Sequence, residues 1–145
     1  MIQFMVPVRI PSGNRWKDMH WGKKRRLKDV AFEHMFRQMQ SMDVKIPIAT
    51  PCKIRVHVFL KGTPEADPRN FVTPVDKMLI DALCDPSPPV TKKGTIRQRF
   101  KRGLGLIPDD KPKYIVDERM PELHYMADED MAVLNVYPKG ELDDT

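Results

Sequence analysis

The clearest pattern in the chain is the alternation in CKIRVHVFL, residues 52–60. Cys52, Ile54, Val56, Val58 and Leu60 point one way, and Lys53, Arg55 and His57 point the other, which predicts a strand with one face on a core. A second, weaker alternation over residues 2–10 predicts a first strand, broken by Pro11-Ser12-Gly13-Asn14. From about Gly22 to Met42 the period changes. Leu27, Ala31, Met35, Met39 and Met42 recur every three or four positions, widened by Val30, Phe32 and Phe36, which predicts an amphipathic helix. Its methionines read as gap-filling core. Pro47 and Pro51 bracket a linker ahead of the second strand.

A second helix is predicted over TPVDKMLIDALC. Thr73 serves as N-cap, Pro74 takes the first helical position and Asp76 closes a capping box. Val75, Met78, Leu79 and Ala82 give this helix a buried side. From Asp85 to about Leu106 no period is visible, and the segment is too long for an ordinary connection. KYIVDERM and MAVLNVYP then read as two strands, with Ala127-Asp128-Glu129-Asp130 as a hairpin turn. The order β-α-β-α-β-β describes one α/β (α+β) domain over residues 1–145, with a small mixed sheet of about four strands and two main helices. It carries a basic insertion at about 85–104 and an acidic tail at about 139–145.

Composition adds limits to this picture. The 145 residues suffice for one core without staples. No apolar run approaches the roughly 20 residues of a membrane span, and MIQFMVPVRI lacks the apolar block of a signal peptide. Cys52 and Cys84 form no CxxC pair and read as buried thiols of a reducing cytosol. A cytoplasmic protein of a bacterial or phage-infected cell, with no membrane partner, is expected. The net charge of +5 hides an asymmetry. Positive charge gathers in Arg15–Lys28 and in the acid-free KKGTIRQRFKR of Lys92–Arg102, while Asp and Glu gather after Asp117. Two basic blocks point to a polyanion such as nucleic acid, or else to solvated charge.

Candidate chemistry lies in the acids displayed on loops, Glu65 and Asp67 before the second helix and Asp109-Asp110 after the insertion. Phosphodiester cleavage needs a hydroxide near neutral pH and neutralisation of phosphate charge. Mg2+ held by carboxylates supplies both, and a Lys adds positive charge at the phosphate. Crowded carboxylates that stay ionised imply a cation between them. The competing reading is solvated turn and cap residues. His34 and His124 have no partner at metal-like spacing, and His57 reads as a polar-face residue of its strand. Trp16 and Trp21 read either as stacking platforms for exposed bases or as anchors in core and loop.

The stretch ADPRNFVTPVDKMLIDAL, followed by LIPDD, resembles the signature of the RusA family of phage and bacterial Holliday-junction resolvases. There an Asp-x-Asp-Asn segment precedes a helix bearing Lys and Asp-Ala-Leu, and an Asp-Asp pair follows. NRWKDMHWGKKRR is similar to the Asn-Arg…His-Trp…Arg loop and helix start of phage-type members. The resemblance implies an Mg2+-dependent structure-selective endonuclease (Mn2+ able to substitute) that resolves four-way junctions or other branched DNA as a homodimer, in recombination and repair. By the same match Asp67 is the first acid, Asn70 the Asn, Lys77 the Lys at the scissile phosphate, and Asp109-Asp110 the distal pair. Asp67 and Asp110 become metal ligands, and Asp109 a third ligand or an orienting group.

One departure stands out. Arg69 occupies the place of the family's second Asp, and Asp76 either replaces that acid in space or caps the helix. DNA contacts are implied for Arg15, His20, Lys23, Lys24, Arg25, Arg69 and Asn70. In the insertion they are implied for Lys92, Lys93, Arg97, Arg99, Lys101 and Arg102. The loss of an acid at Arg69 also leaves the alternative of a catalytically weakened DNA-binding accessory protein with the same fold.

Overall fold

The computed structural model describes residues 1–86, 102–118 and 120–141, with backbone alone for Asp117 and Glu118. Most of the basic insertion and the end of the acidic tail therefore lie outside the described residues, as do Lys92, Lys93, Arg97, Arg99 and Lys101. The chain forms β1 (Ile2–Val6), α1 (Gly13–Asp18), α2 (Trp21–Gln40) and β2 (Cys52–Lys61). A composite helix follows, built from a 3-10 turn (Pro68–Phe71), α3 (Val72–Val75), a π-helical turn (Asp76–Ile80) and α4 (Asp81–Leu83). The last elements are β3 (Ile115–Glu118), β4 (Glu122–Ala127) and β5 (Met131–Tyr137). This is the expected mixed α and β domain, with five strands rather than about four.

β2 organises the sheet because its even positions are all buried: Cys52, Ile54, Val56, Val58 and Leu60. Such a strand needs partners on both edges. β5 runs antiparallel along one edge and pairs in turn with β1. β3 and β4 run parallel along the other edge, β3 beside Cys52–Ile54 and β4 beside His57–Lys61. The expected hairpin over residues 127–130 is therefore not formed. β4 and β5 lie on opposite sides of β2, and the loop between them crosses the end of β2. There Asp130 Oδ1 accepts from the Lys61 amide at 2.9 Å and from Arg9 at 2.8 Å. Arg9 also donates to Lys61 O and Thr63 Oγ1, which ties the three chain segments together.

α2 covers one face of the sheet. Ala31 and Met35 are fully buried, and Leu27, Phe32 and Met39 pack around them. Val30 and Phe36, which widen the stripe in sequence, are partly exposed, so the buried seam is the narrower set. Cys52 and Cys84 are free and buried. Among the described residues no helix is long and apolar enough to cross a membrane.

Candidate active site

The composite helix begins earlier than the sequence pattern suggests. Asp67, not Thr73, is the cap: its side chain accepts from the Arg69 amide at 3.0 Å, and Pro68 takes the first position. Phe71 is buried, which pulls this turn onto the core and carries the helix start with it. Thr73 lies inside α3, which has no side-chain cap, so the capping box of Thr73 and Asp76 does not form. Pro74 sits inside the run rather than at its start.

Freed from capping, Asp76 opens the π-helical turn. The Asp81 amide donates to Asp76 O across five residues instead of four. In an α-helix of 3.6 residues per turn, positions five apart face different sides. The π turn instead brings position 81 round toward the side of position 76, so the two acids lie closer in direction than an α-helix would set them. Asp76 is half-buried and faces a cavity lined by Ile54, Val56, Val72, Val75 and the Met120-Pro121 segment. Lys77 is exposed.

The end of this helix would leave its last carbonyls without donors. The chain supplies them by doubling back. The Leu104 amide donates to Ala82 O at 2.9 Å, Leu106 to Leu83 O at 2.9 Å, and Gly105 to Cys84 O at 3.1 Å. Gly103 makes the approach possible, because a Cβ there would collide with Cys84 O. Leu104, Leu106 and Ile107 are buried, so the segment is held by the core as well.

Doubling back delivers Asp109 and Asp110 to the tail of the composite helix. Burial lifts the Asp110 carboxyl above its ordinary value. Its hydrogen bond with Asp109, and the charges of Asp109 and Asp81, lift it further. Asp110 thus feels the charge of two other acids. Asp109 is also bound locally, accepting from the Asp110 amide at 2.8 Å with Lys111 Nζ 3.7 Å away.

Of the residues singled out in sequence, Asp109 and Asp110 come together, and Asp76 and Lys77 lie one helical turn from Asp81. Asp67 is at the other end of the helix. Its carboxylate takes hydrogen bonds from Arg69 Nε and Nη2, at 3.2 and 2.9 Å, and this bonding holds it below the usual carboxylate range. Asp81 escaped the sequence reading. Its only signal was its place in Asp-Ala-Leu, and on a helix pattern it reads as a solvent-side acid.

The basic surface starts at α1. Asn14, Arg15, Asp18, Met19, His20 and Lys23 line an open groove between α1 and α2. Asn70 adjoins it, since a Cβ on Gly13 would stand 2.8 Å from Asn70 O. His20 caps α2, with Nδ1 accepting from the Gly22 amide at 3.1 Å, so only its other nitrogen is left for a phosphate. Lys23 and Arg25 are exposed, while Lys24 lies over the Trp16 ring at 5.5 Å. Trp16 is buried and belongs to the core; Trp21 is 59% exposed. Arg102 pairs with Glu33 at 2.6 Å.

No family model, curated protein or solved structure matches the chain.

Proposed function

We propose that this protein is an Mg2+-dependent endonuclease that nicks branched DNA, four-way junctions above all, and acts as a homodimer. The observation that carries the reading is the return of residues 104–107 to the tail of the composite helix, which brings Asp109 and Asp110 toward Asp81 and is accompanied by a raised Asp110 carboxyl. All-oxygen donors of like charge fit a hard divalent cation, which would relieve the repulsion that disfavours the ionised form. Asp81, Asp109 and Asp110 would draw together to hold the ion, with Asp76 a further acid on the same composite helix. Bound Mg2+ supplies charge neutralisation at a phosphate and lowers the pKa of its water. Lys77, exposed on the turn before Asp81, places positive charge where a scissile phosphate would lie. Arg15, Lys23 and Arg25 would hold the flanking backbone, which positions DNA without reading its sequence. A junction has pseudo-twofold symmetry and needs two nicks, which suits a twofold dimer.

The test is incubation of the purified protein with a synthetic four-way junction, with Mg2+ or with chelator. Paired symmetric nicks that require Mg2+ are expected. Intact junction under conditions where the protein binds it would sink the nuclease reading.

A second reading rests on Arg69. It stands where the resemblance places an acid, and it ties up Asp67. A DNA-binding protein that has lost cleavage would look the same at that end of the helix. It predicts junction binding without nicking, so the same experiment separates the two.

A further inference from the structure

The face of the sheet that the helices leave open carries a second polar cluster. In the parallel pairing of β4 with β2, Glu122 stands beside His57 and His124 beside Phe59, so His57, Glu122 and His124 project from one face. His57 Nδ1 lies 3.0 Å from His124 Nε2 and 3.4 Å from Glu122 Oε2. One ligand atom from each of the three falls within 4.8 Å of the other two. With metal–nitrogen bonds of about 2.0–2.1 Å, neighbouring ligands of a tetrahedral zinc ion stand roughly 3.3–3.4 Å apart. The His57–Glu122 separation has that value, the His57–His124 one is a little shorter, and all three atoms lie within the 4.8 Å that a small adjustment of side chains could close on an ion.

A hydrogen bond between the two histidines explains the shorter contact but leaves the longer one awkward. Where His57 donates, its one N–H is shared between His124 Nε2 and Glu122 Oε2; where His124 Nε2–H donates instead, His57 Nδ1 turns only a lone pair toward the carboxylate. A cation at the centre satisfies all three. Orientation is prepared too, because the Phe59 ring stacks on His124 at 4.3 Å with planes 10° apart. His57 is 20% exposed and Glu122 66%, so one side of the cluster opens to water. Two imidazoles and a carboxylate select a borderline metal over Mg2+, which prefers oxygen alone.

We propose that His57, Glu122 and His124 bind one divalent transition-metal ion of the zinc class. The ion pins the edge strand β4 to β2 and keeps one coordination position open to solvent. The site is independent of the carboxylates described above, which lie at the helix on the opposite face.

The test is calorimetric titration of the chelator-stripped full chain with Co2+ in excess Mg2+, followed by competition with Zn2+. One Co2+ per chain, displaced by Zn2+, is expected. His57→Ala and Glu122→Gln should each weaken binding by at least about tenfold, since even outer-shell changes cost 10–100-fold. Zn2+ should raise the melting temperature of the wild type but not of these variants. Glu122 is exposed enough that Glu122→Gln keeps the fold, so it decides the matter if His57→Ala does not fold. An Asp81→Asn/Asp110→Asn protein should keep the Co2+ titre. No saturable binding, undiminished binding in Glu122→Gln, or a titre lost with Asp81 and Asp110 instead would each overturn the proposal.

Discussion

At the head of the composite helix, Asp67 is exposed, caps the 3-10 turn and is gripped by Arg69, so its carboxyl sits below the ordinary range. At the tail, Asp110 meets burial and two further acids and sits above that range. The residue type is the same and the helix is the same, yet the surroundings reverse the shift. An aspartate answered by a cation within the protein has its charge already balanced. Where acids face one another the ionised form of Asp110 is disfavoured even with Lys111 near Asp109, and a bound cation would relieve that. The difference moves the centre of the candidate site from Asp67, where the resemblance places it, toward Asp81, Asp109 and Asp110.

The largest expected effect follows from that move. Asp81→Asn and Asp110→Asn should each lower Mg2+-dependent junction nicking on the order of 100-fold or more, because a neutral amide cannot replace an anionic ligand. Junction binding, measured by fluorescence anisotropy, should stay within a few-fold of wild type. Nicking at the normal rate by a folded Asp81→Asn protein would return the site to the sequence-derived set. Asp67→Ala makes the counterpart. It removes a cap and its ion pair, so the melting temperature should fall modestly while nicking stays within a few-fold. A collapse of nicking as deep as that of Asp110→Asn would make Asp67 a ligand after all and erase the contrast between the two ends.

How much of this could be read from sequence differs by element. β2 was plain, because its even positions are uniformly apolar and its odd ones mostly polar, and α2 was plain from its buried seam. The start of the composite helix was not. ADP and TPVD are both credible cap sequences, and the choice was made by Phe71, whose burial draws the earlier turn onto the core. The π turn has no compositional signature, so nothing in DKMLID announces the five-residue bond from the Asp81 amide to Asp76 O. Asp81 and Asp110, distant in sequence, come near each other only because residues 104–107 return to cap the helix tail. His57 and His124 looked unrelated for a comparable reason. Their meeting depends on β4 adding parallel to β2, whereas the sequence pattern suggests a hairpin of KYIVDERM with MAVLNVYP and no strand over residues 122–127.

A smaller effect probes the head directly. Arg69→Ala removes the hydrogen-bond donors and the charge that lower Asp67, so its carboxyl should titrate closer to the ordinary aspartate value. A carbon-detected NMR titration of the Asp67 side chain reads this out. An unchanged midpoint would mean that the cap geometry alone, without Arg69, sets the shift.

The smallest expected effect concerns stability at the tail. Asp110 has its folded pKa raised above the unfolded value near 3.8, so the folded state holds its proton more tightly. Well below pH 3.8 the carboxyl is protonated in both states and contributes no repulsion. As pH climbs from that value through the raised folded pKa, ionisation sets in against Asp109 and Asp81, and stability is lost. Asp110→Asn has nothing to ionise. In metal-free protein its melting temperature should therefore lie slightly above wild type at pH 7, and the gap should close as pH falls below about 4. The gain is small because Asp110 is largely solvated and salt screens it further. Mg2+ should also close the gap, from the other side, by stabilising the wild type alone. Thermal melts across pH, with Mg2+ and with chelator, measure all of this on two proteins. A variant less stable than wild type at pH 7 without metal would mean that the tail acids are balanced by cationic neighbours, as Asp67 is.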